Sequence, residues 1–419
     1  MNAFHYQDGR LHAEDLPLDE LAERFGTPCY VYSRRAVSEA WGEFAAACTG
    51  RKVLVCYALK ANSNLAIIDL LAREGAGFDI VSAGELRRVI AAGGSPSRTV
   101  FSGVGKSAAE IREALLAGVR CFNVESQSEL ERLDRIAGEL GRRAPVSLRV
   151  NPDVDAGTHP YISTGLRENK FGIPHEDAFD AYRRAASLPN LAVVGIDCHI
   201  GSQITTLDPF IAALDKVLEL VDRLHEAGIE LHHIDLGGGL GIRYDDEQPP
   251  SRAALLGAVF ARLDAHPRGA HYELMFEFGR AIVGNAGVLL TRVEYLKRNG
   301  DRHFAIVDAG MNDLMRPALY EAWHGVQPVR PRPGAPDLYD IVGPVCESGD
   351  WLARGRSLCL AEGDLLAVMS AGAYGMAMSS NYNTRPRAAE IMVDSKHPHL
   401  IRERESIESL YALERCLPG

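Results

Sequence analysis

No run of apolar residues in this 419-residue chain approaches the length of a membrane-crossing helix, so no membrane span is expected. Positive charge is in deficit: 45 Lys and Arg against 56 Asp and Glu leave a formal net charge of −11. That balance argues against nucleic acid or an anionic membrane surface as partner. The eight cysteines form no C-x-x-C pair and show no His-linked metal spacing, so neither a disulfide framework nor a metal site is expected. Internal repeats and low-complexity segments are missing as well. The opening residues, MNAFHYQDGRLHAED, hold neither a basic nor an apolar leader region, so no signal peptide is expected and reduced thiols point to the cytoplasm.

What is present is an alternating pattern. Between about residues 50 and 280, short apolar runs alternate with stretches of helical spacing. The runs are Val53–Ala58, Phe78–Val81, Thr99–Ser102, Arg120–Val124, Val146–Val150, Val193–Cys198, His232–Leu236 and Glu273–Glu277. Helical spacing lies over 85–92, 108–117, 128–140 and 210–227. Eight β runs over that length match a (β/α)8 barrel, with a doubly wound open sheet as the rival, since alternation alone does not show closure. Beyond about residue 285 the pattern becomes strand-like at 288–295, 304–308, 338–342, 365–371 and 390–393, with one helix at 314–323. The segment 326–336, with Pro328, Pro331, Pro333 and Pro336, reads as a linker without regular structure. The expected division is a barrel over residues 33–284, inserted in a β-rich domain of residues 1–32 and 285–419.

Polar and glycine-rich residues gather just after the β runs, where barrel enzymes place their sites. Lys60 ends the run VLVCYALK; desolvation would make its amine a nucleophile toward an aldehyde, while the alternative is a rim lysine with its head in water. Gly237, Gly238 and Gly239 follow HHIDL and suit either a phosphate or a plain tight turn. Gly201-Ser202 and Gly279-Arg280, after the neighbouring runs, favour the phosphate. His199 could stack on a flat ring, act as a base or bind metal, or be a packed core histidine. Glu277 could pair with a protonated pyridine nitrogen or with a structural arginine such as Arg280. Arg316 and Tyr320 lie four apart in MNDLMRPALYEAWH and suit carboxylate recognition. Tyr374 sits among small residues that permit close approach to a ligand. Cys346 and Glu347, in GPVCESGD, set a thiol beside a carboxylate in a turn-rich loop, unlike the other cysteines, most of which lie in apolar runs.

Together these motifs resemble the fold type III pyridoxal-phosphate-dependent decarboxylases. The matching stretches run in order from about residue 20 to 410: YALKAN, FDIVSAGEL, NVES, RVNP, CHIGSQ, DLGGGLG, GRAIV, DAGMNDLMRPALYEAWH, GPVCESGD and SAGAYGMAMSSNYNTRPR. The resemblance implies a (β/α)8 barrel plus a β-rich domain formed mainly by the C-terminal part and the N-terminal segment. It also implies a head-to-tail homodimer with shared active sites.

In that resemblance Lys60 would hold pyridoxal 5'-phosphate covalently, His199 would stack on its ring, and Glu277 would pair with the ring nitrogen. Ser202, Gly237, Gly238, Gly239, Phe278, Gly279 and Arg280 would hold phosphate and ring, with Tyr374 touching cofactor and substrate. Arg280, Arg316 and Tyr320 would bind a substrate carboxylate. Cys346 would be the proton donor and Glu347 the reader of a second amino group, both offered across the dimer interface. The implied reaction is decarboxylation of meso-2,6-diaminopimelate to L-lysine and CO2. The alternative is a sister decarboxylase acting on another, carrier-tethered or free, amino acid. One departure stands out: the family usually has proline where this chain has Phe278, and proline at that position is expected to be tolerated here.

Overall fold

The structure, a computed structural model, describes residues 3–155 and 170–418. It divides into two compact units, one of Ala40–Ile242 with Gln248–Ala281 and one of Met1–Glu39, Arg243–Glu247 and Ile282–Gly419.

The first unit is a closed barrel of eight parallel strands: Val53–Ala58, Gly77–Ile80, Thr99–Phe101, Cys121–Val124, Ala144–Asn151, Leu191–Asp197, His233–Asp235 and Glu273–Phe278. The last strand pairs with the first, Leu274 opposite Val53 and Phe278 opposite Tyr57, so the open-sheet rival is ruled out. A two-residue strand, Ile173–Pro174, pairs in parallel with the C-terminal end of the fifth, at Val150 and Asn151. Helices alternate with the strands, and their spacing explains why they pack. The longest, Asp208–Glu226, buries Phe210, Leu214, Val217, Leu218, Val221 and Leu224, one stripe at 3.6-residue period. Three helices begin with the same device, a Ser side chain accepting from the backbone N–H of a Glu three residues on: Ser82 with Glu85, Ser107 with Glu110, Ser126 with Glu129. These caps make the strand-to-helix turns short and keep the barrel mouth compact.

Inside the barrel, Leu54, Cys56, Val100, Cys121 and Met275 form an apolar layer. Two residues further along three of those strands, on the same face, come Ser102, Asn123 and Glu277. The barrel is therefore apolar below and polar at its C-terminal end.

The second unit is a mixed sheet ordered Trp351–Leu358, Asp337–Val342, Arg302–Val307, Gly287–Asn299, Cys29–Ser33, Ala389–Asp394 and His397–Arg402. Cys29–Ser33 lies in its middle, antiparallel to Gly287–Asn299 and parallel to Ala389–Asp394, so the N-terminal segment is part of this sheet. Apolar side chains pack on both of its faces. Two expectations need correction. Val326–Pro328 is a strand, paired with Leu365–Val368, because Pro328 sits at the end of an edge strand, where its missing N–H costs nothing. The helix expected over 314–323 is confined to Arg316–Tyr320: Pro317 occupies its first turn, and Glu321 stops it with a left-handed φ of 54°.

Among the described residues, no helix is long and apolar enough to cross a membrane.

Candidate active site

Lys60 lies in a single turn, Leu59–Ala61, that leaves the first barrel strand. Its Nζ is 2.7 Å from Asp79 Oδ2, at the mouth side of the second strand; Asp79 is fully buried, while the lysine side chain keeps 36% of its surface. The amine is thus held in place yet reachable. Gly279 packs directly on this turn: a Cβ there would lie 2.8 Å from that of Ala61.

Glu277 is buried and accepts from Ser102 Oγ at 3.2 Å and Asn123 Nδ2 at 3.0 Å. Carboxylate oxygens of Glu277, Asp197 and Asp235 lie within 4.8 Å of one another. Burial, then the neighbouring Asp79, Asp235 and Asp197, push Glu277 well above the usual carboxylate range. Burial raises Asp197 in the same direction. Burial carries Asp235 up to about 7 despite the N–H of Gly237, which donates to its Oδ1 at 2.9 Å. Lys60 and Arg149 supply opposing positive charge. Asp79 Oδ1, Asp197 Oδ1 and Asp235 Oδ2 are buried without a hydrogen-bond partner among the described residues. Such an arrangement retains protons and suits a basic nitrogen brought into the mouth.

Between the ordinary value of 3.8 and about 7, folded Asp235 holds a proton that the unfolded chain has lost. Its contribution is therefore greatest at low pH and is lost as pH rises toward and through 7. We expect the melting temperature of cofactor-free protein to fall from about pH 5 to about pH 8 more steeply in the wild type than in Asp235→Asn. Equal slopes in thermal melts of the two proteins would contradict that role.

His199 receives the Gly238 N–H on Nδ1 at 3.1 Å, which leaves the proton on Nε2. Burial, then Arg149 and Lys60, hold its pKa well below the usual value, so the ring is neutral and flat. Three loops converge here. Gly238 passes so close to the strand before Gly279 that a Cβ would stand 2.2 Å from Glu277 O. Gly239 O accepts from Ile204 N at 2.9 Å, and Arg280 Nη2 donates to Ser202 Oγ at 3.0 Å. Two amides of the glycine triplet are thus committed to Asp235 and His199, so the triplet serves close packing as much as anion binding.

Phe278 corrects the expectation attached to it. Its ring is buried on the outer face of the barrel, stacked on Phe44 with centroids 4.3 Å apart and on Phe276 at 5.4 Å. Only its backbone faces the mouth loops, and the residue is an anchor rather than a looser substitute for proline. Phe278→Pro is expected to destabilise the protein by about 3 kcal/mol or more through loss of that ring. Urea denaturation midpoints would check this, and an unchanged midpoint would show the ring to be dispensable.

In the second unit, the loop carrying Cys346 and Glu347 is built around Asp350, which the sequence did not single out. Asp350 is buried; its Oδ2 accepts from Val345 N at 2.7 Å and its Oδ1 from Met311 N at 2.6 Å. One carboxylate thereby ties GPVCESGD to the start of MNDLMRPALY. The Cys346 side is exposed, and its backbone N–H donates to Asn383 Oδ1 at 2.9 Å. Tyr382 OH donates to Glu347 Oε1. Arg316 is buried with Tyr320 one turn away on the same short helix. Tyr374 holds a φ of 56°, a conformation costly for a bulky side chain and one that functional loops retain.

The residues expected at the barrel, Lys60, His199, Ser202, Gly237, Gly238, Gly239, Glu277, Gly279 and Arg280, therefore meet at one end of it. Asp79, Ser102, Asn123, Asp197 and Asp235 were missed. The available signal was a lone polar residue inside an apolar run, as in FDIV, GIDC and HHIDL.

Comparison with known proteins identifies the family of the chain. Residues 34–284 match the family described as pyridoxal-dependent decarboxylase, pyridoxal binding domain. The chain is 61% identical over 418 residues to the diaminopimelate decarboxylase of Pseudomonas aeruginosa, covering 100% of both proteins. It is 58% identical to that of Vibrio cholerae, again covering 100% of both. The crystal structure of the diaminopimelate decarboxylase of M. jannaschii in co-complex with L-lysine superposes with a TM-score of 0.95 at 40% identity, covering 100% of this chain and 98% of that one.

Proposed function

Since the chain belongs to the pyridoxal-dependent decarboxylases, and among them to the diaminopimelate decarboxylase family, we propose the following division of labour among its residues. The reaction is the pyridoxal-dependent decarboxylation of meso-diaminopimelate to L-lysine and CO2. The observation that carries the assignment of the site is the Lys60–Asp79 contact beside the buried Glu277 cluster, at the mouth of a closed barrel.

The barrel fits pyridoxal 5'-phosphate. It offers a reachable amine, a flat neutral imidazole, proton-retaining carboxyls and a loop cluster in which a side chain at Gly238 would collide. When bound, the cofactor supplies an electron sink for the carbanion left by CO2. Lys60 would hold the cofactor through its amine, which Asp79 keeps in place. Glu277, fixed by Ser102 and Asn123 and inclined to retain a proton, would be the partner of the ring nitrogen. His199, neutral and held by the Gly238 N–H, would stack on the ring. Ser202, Gly239 and the 279–280 turn take the phosphate, since the Gly237 and Gly238 amides are engaged elsewhere.

Substrate selection falls to charge. Arg316, Tyr320 and Arg280 take carboxylate, with the planar guanidinium suited to a bidentate grip. Glu347 takes the distal ammonium, and Cys346 delivers a proton to the α-carbon. Tyr374 borders cofactor and substrate. The β-rich unit thus reads the substrate while the barrel holds the cofactor. We assign Cys346 and Glu347 to the site of a second copy of the chain, making the working form a homodimer. With all eight thiols unpaired, we place the enzyme in the cytoplasm.

Purified protein supplied with pyridoxal phosphate and meso-diaminopimelate is expected to release CO2 and L-lysine in equal amounts. Turnover of a different amino acid, with diaminopimelate left intact, would overturn the substrate assignment.

A further inference from the structure

Arg316 is fixed from two sides. His324, fully buried, receives Arg316 Nη1 on its Nε2 at 2.8 Å, and its Nδ1 lies 2.8 Å from Met369 O. An arginine only donates and a carbonyl only accepts, so the two contacts together dictate one tautomer: a neutral ring with its proton on Nδ1. The Arg316 guanidinium also lies over the Tyr244 ring, 4.6 Å from its centroid, and Tyr244 meets His324 edge-on at 5.3 Å and 78°. His324 binds through a lone pair rather than a negative charge, so this contact orients the guanidinium without neutralising it.

We propose that His324 and Tyr244 are positioning residues for Arg316, holding its fork in the attitude that receives the substrate's distal carboxylate. The inference rests on the reading of Arg316 as carboxylate receptor. A flexible arginine would lose rotational freedom on each binding event; one already clamped by an imidazole and an aromatic face does not. The imidazole acts as a relay: Met369 O sets the His324 tautomer, the tautomer sets an acceptor, and the acceptor sets the arginine.

L-lysine tests this without turnover, because the product retains the distal carboxylate. Its dissociation constant for the holoenzyme can be read from the change in cofactor absorbance. His324→Leu is expected to weaken L-lysine binding and raise KM for diaminopimelate about tenfold, the loss of a hydrogen bond to a charged group, with kcat changed less than about threefold. His324→Gln, which can both accept from Arg316 and donate to Met369 O, is expected to restore affinity to within about threefold of wild type. Tyr244→Leu should weaken binding about threefold by removing the aromatic face. It also carries the test should His324→Leu fail to fold.

Wild-type L-lysine affinity in both His324→Leu and Tyr244→Leu would overturn the proposal, as would a Gln variant no better than Leu. Arg316→Ala separates the layers. If it binds L-lysine normally, the carboxylate reading itself falls; if it alone loses affinity, only the positioning role does.

Discussion

Lys60→Ala is expected to lower turnover of diaminopimelate on the order of 10^4-fold or more, the scale seen when a covalent catalytic group is removed. The fold should survive. Lys60 sits in a one-turn connection and keeps a third of its side-chain surface, so its contact with Asp79 is partly screened. Asp79 would then face the mouth with neither oxygen paired to that lysine, and its Oδ1 already lacks a partner among the described residues. The variant should accordingly bind pyridoxal phosphate more weakly, and without the absorbance of a lysine-linked cofactor. Steady-state rates and the visible spectrum check both parts. Turnover within about tenfold of wild type would remove Lys60 from the chemistry.

Cys346→Ala should lower kcat by about 10^2- to 10^3-fold while leaving cofactor binding intact, since a methyl group cannot deliver a proton to the α-carbon. The loop is not expected to collapse. Cys346 is exposed and is held by its backbone N–H on Asn383, and the loop's shape comes from Asp350, which binds Val345 and Met311. Asp350→Ala should therefore be the worse lesion for structure and Cys346→Ala the worse for a single step. A wild-type kcat in Cys346→Ala would reassign the proton donor.

The barrel was legible because each of its strands is an apolar run between turn signals. The last of them, Glu273–Phe278, also closes the ring against Val53–Ala58, and no local pattern could have shown that pairing. That Lys60, His199 and Glu277 share one end of the barrel was legible because barrel geometry sends the ends of all strands to one mouth. Asp79, Asp197 and Asp235 were not, since each looks like an isolated acid in its own strand until the barrel brings the three strands to one mouth. Phe278 was misjudged for a related reason. Its position beside Glu277 suggested the mouth, but strand alternation turns neighbouring side chains to opposite faces and delivers its ring to Phe44. The proline-rich stretch after residue 325 hid a strand because proline forbids only the donor it lacks, and an edge position does not need it.

The chemistry turns on one amine at the barrel mouth. Borohydride reduction of the holoenzyme followed by peptide mapping tests it most directly. A single pyridoxyl group is expected on Lys60, absent from Lys60→Ala. Attachment at Lys106 or any other lysine, with Lys60 unmodified, would contradict it.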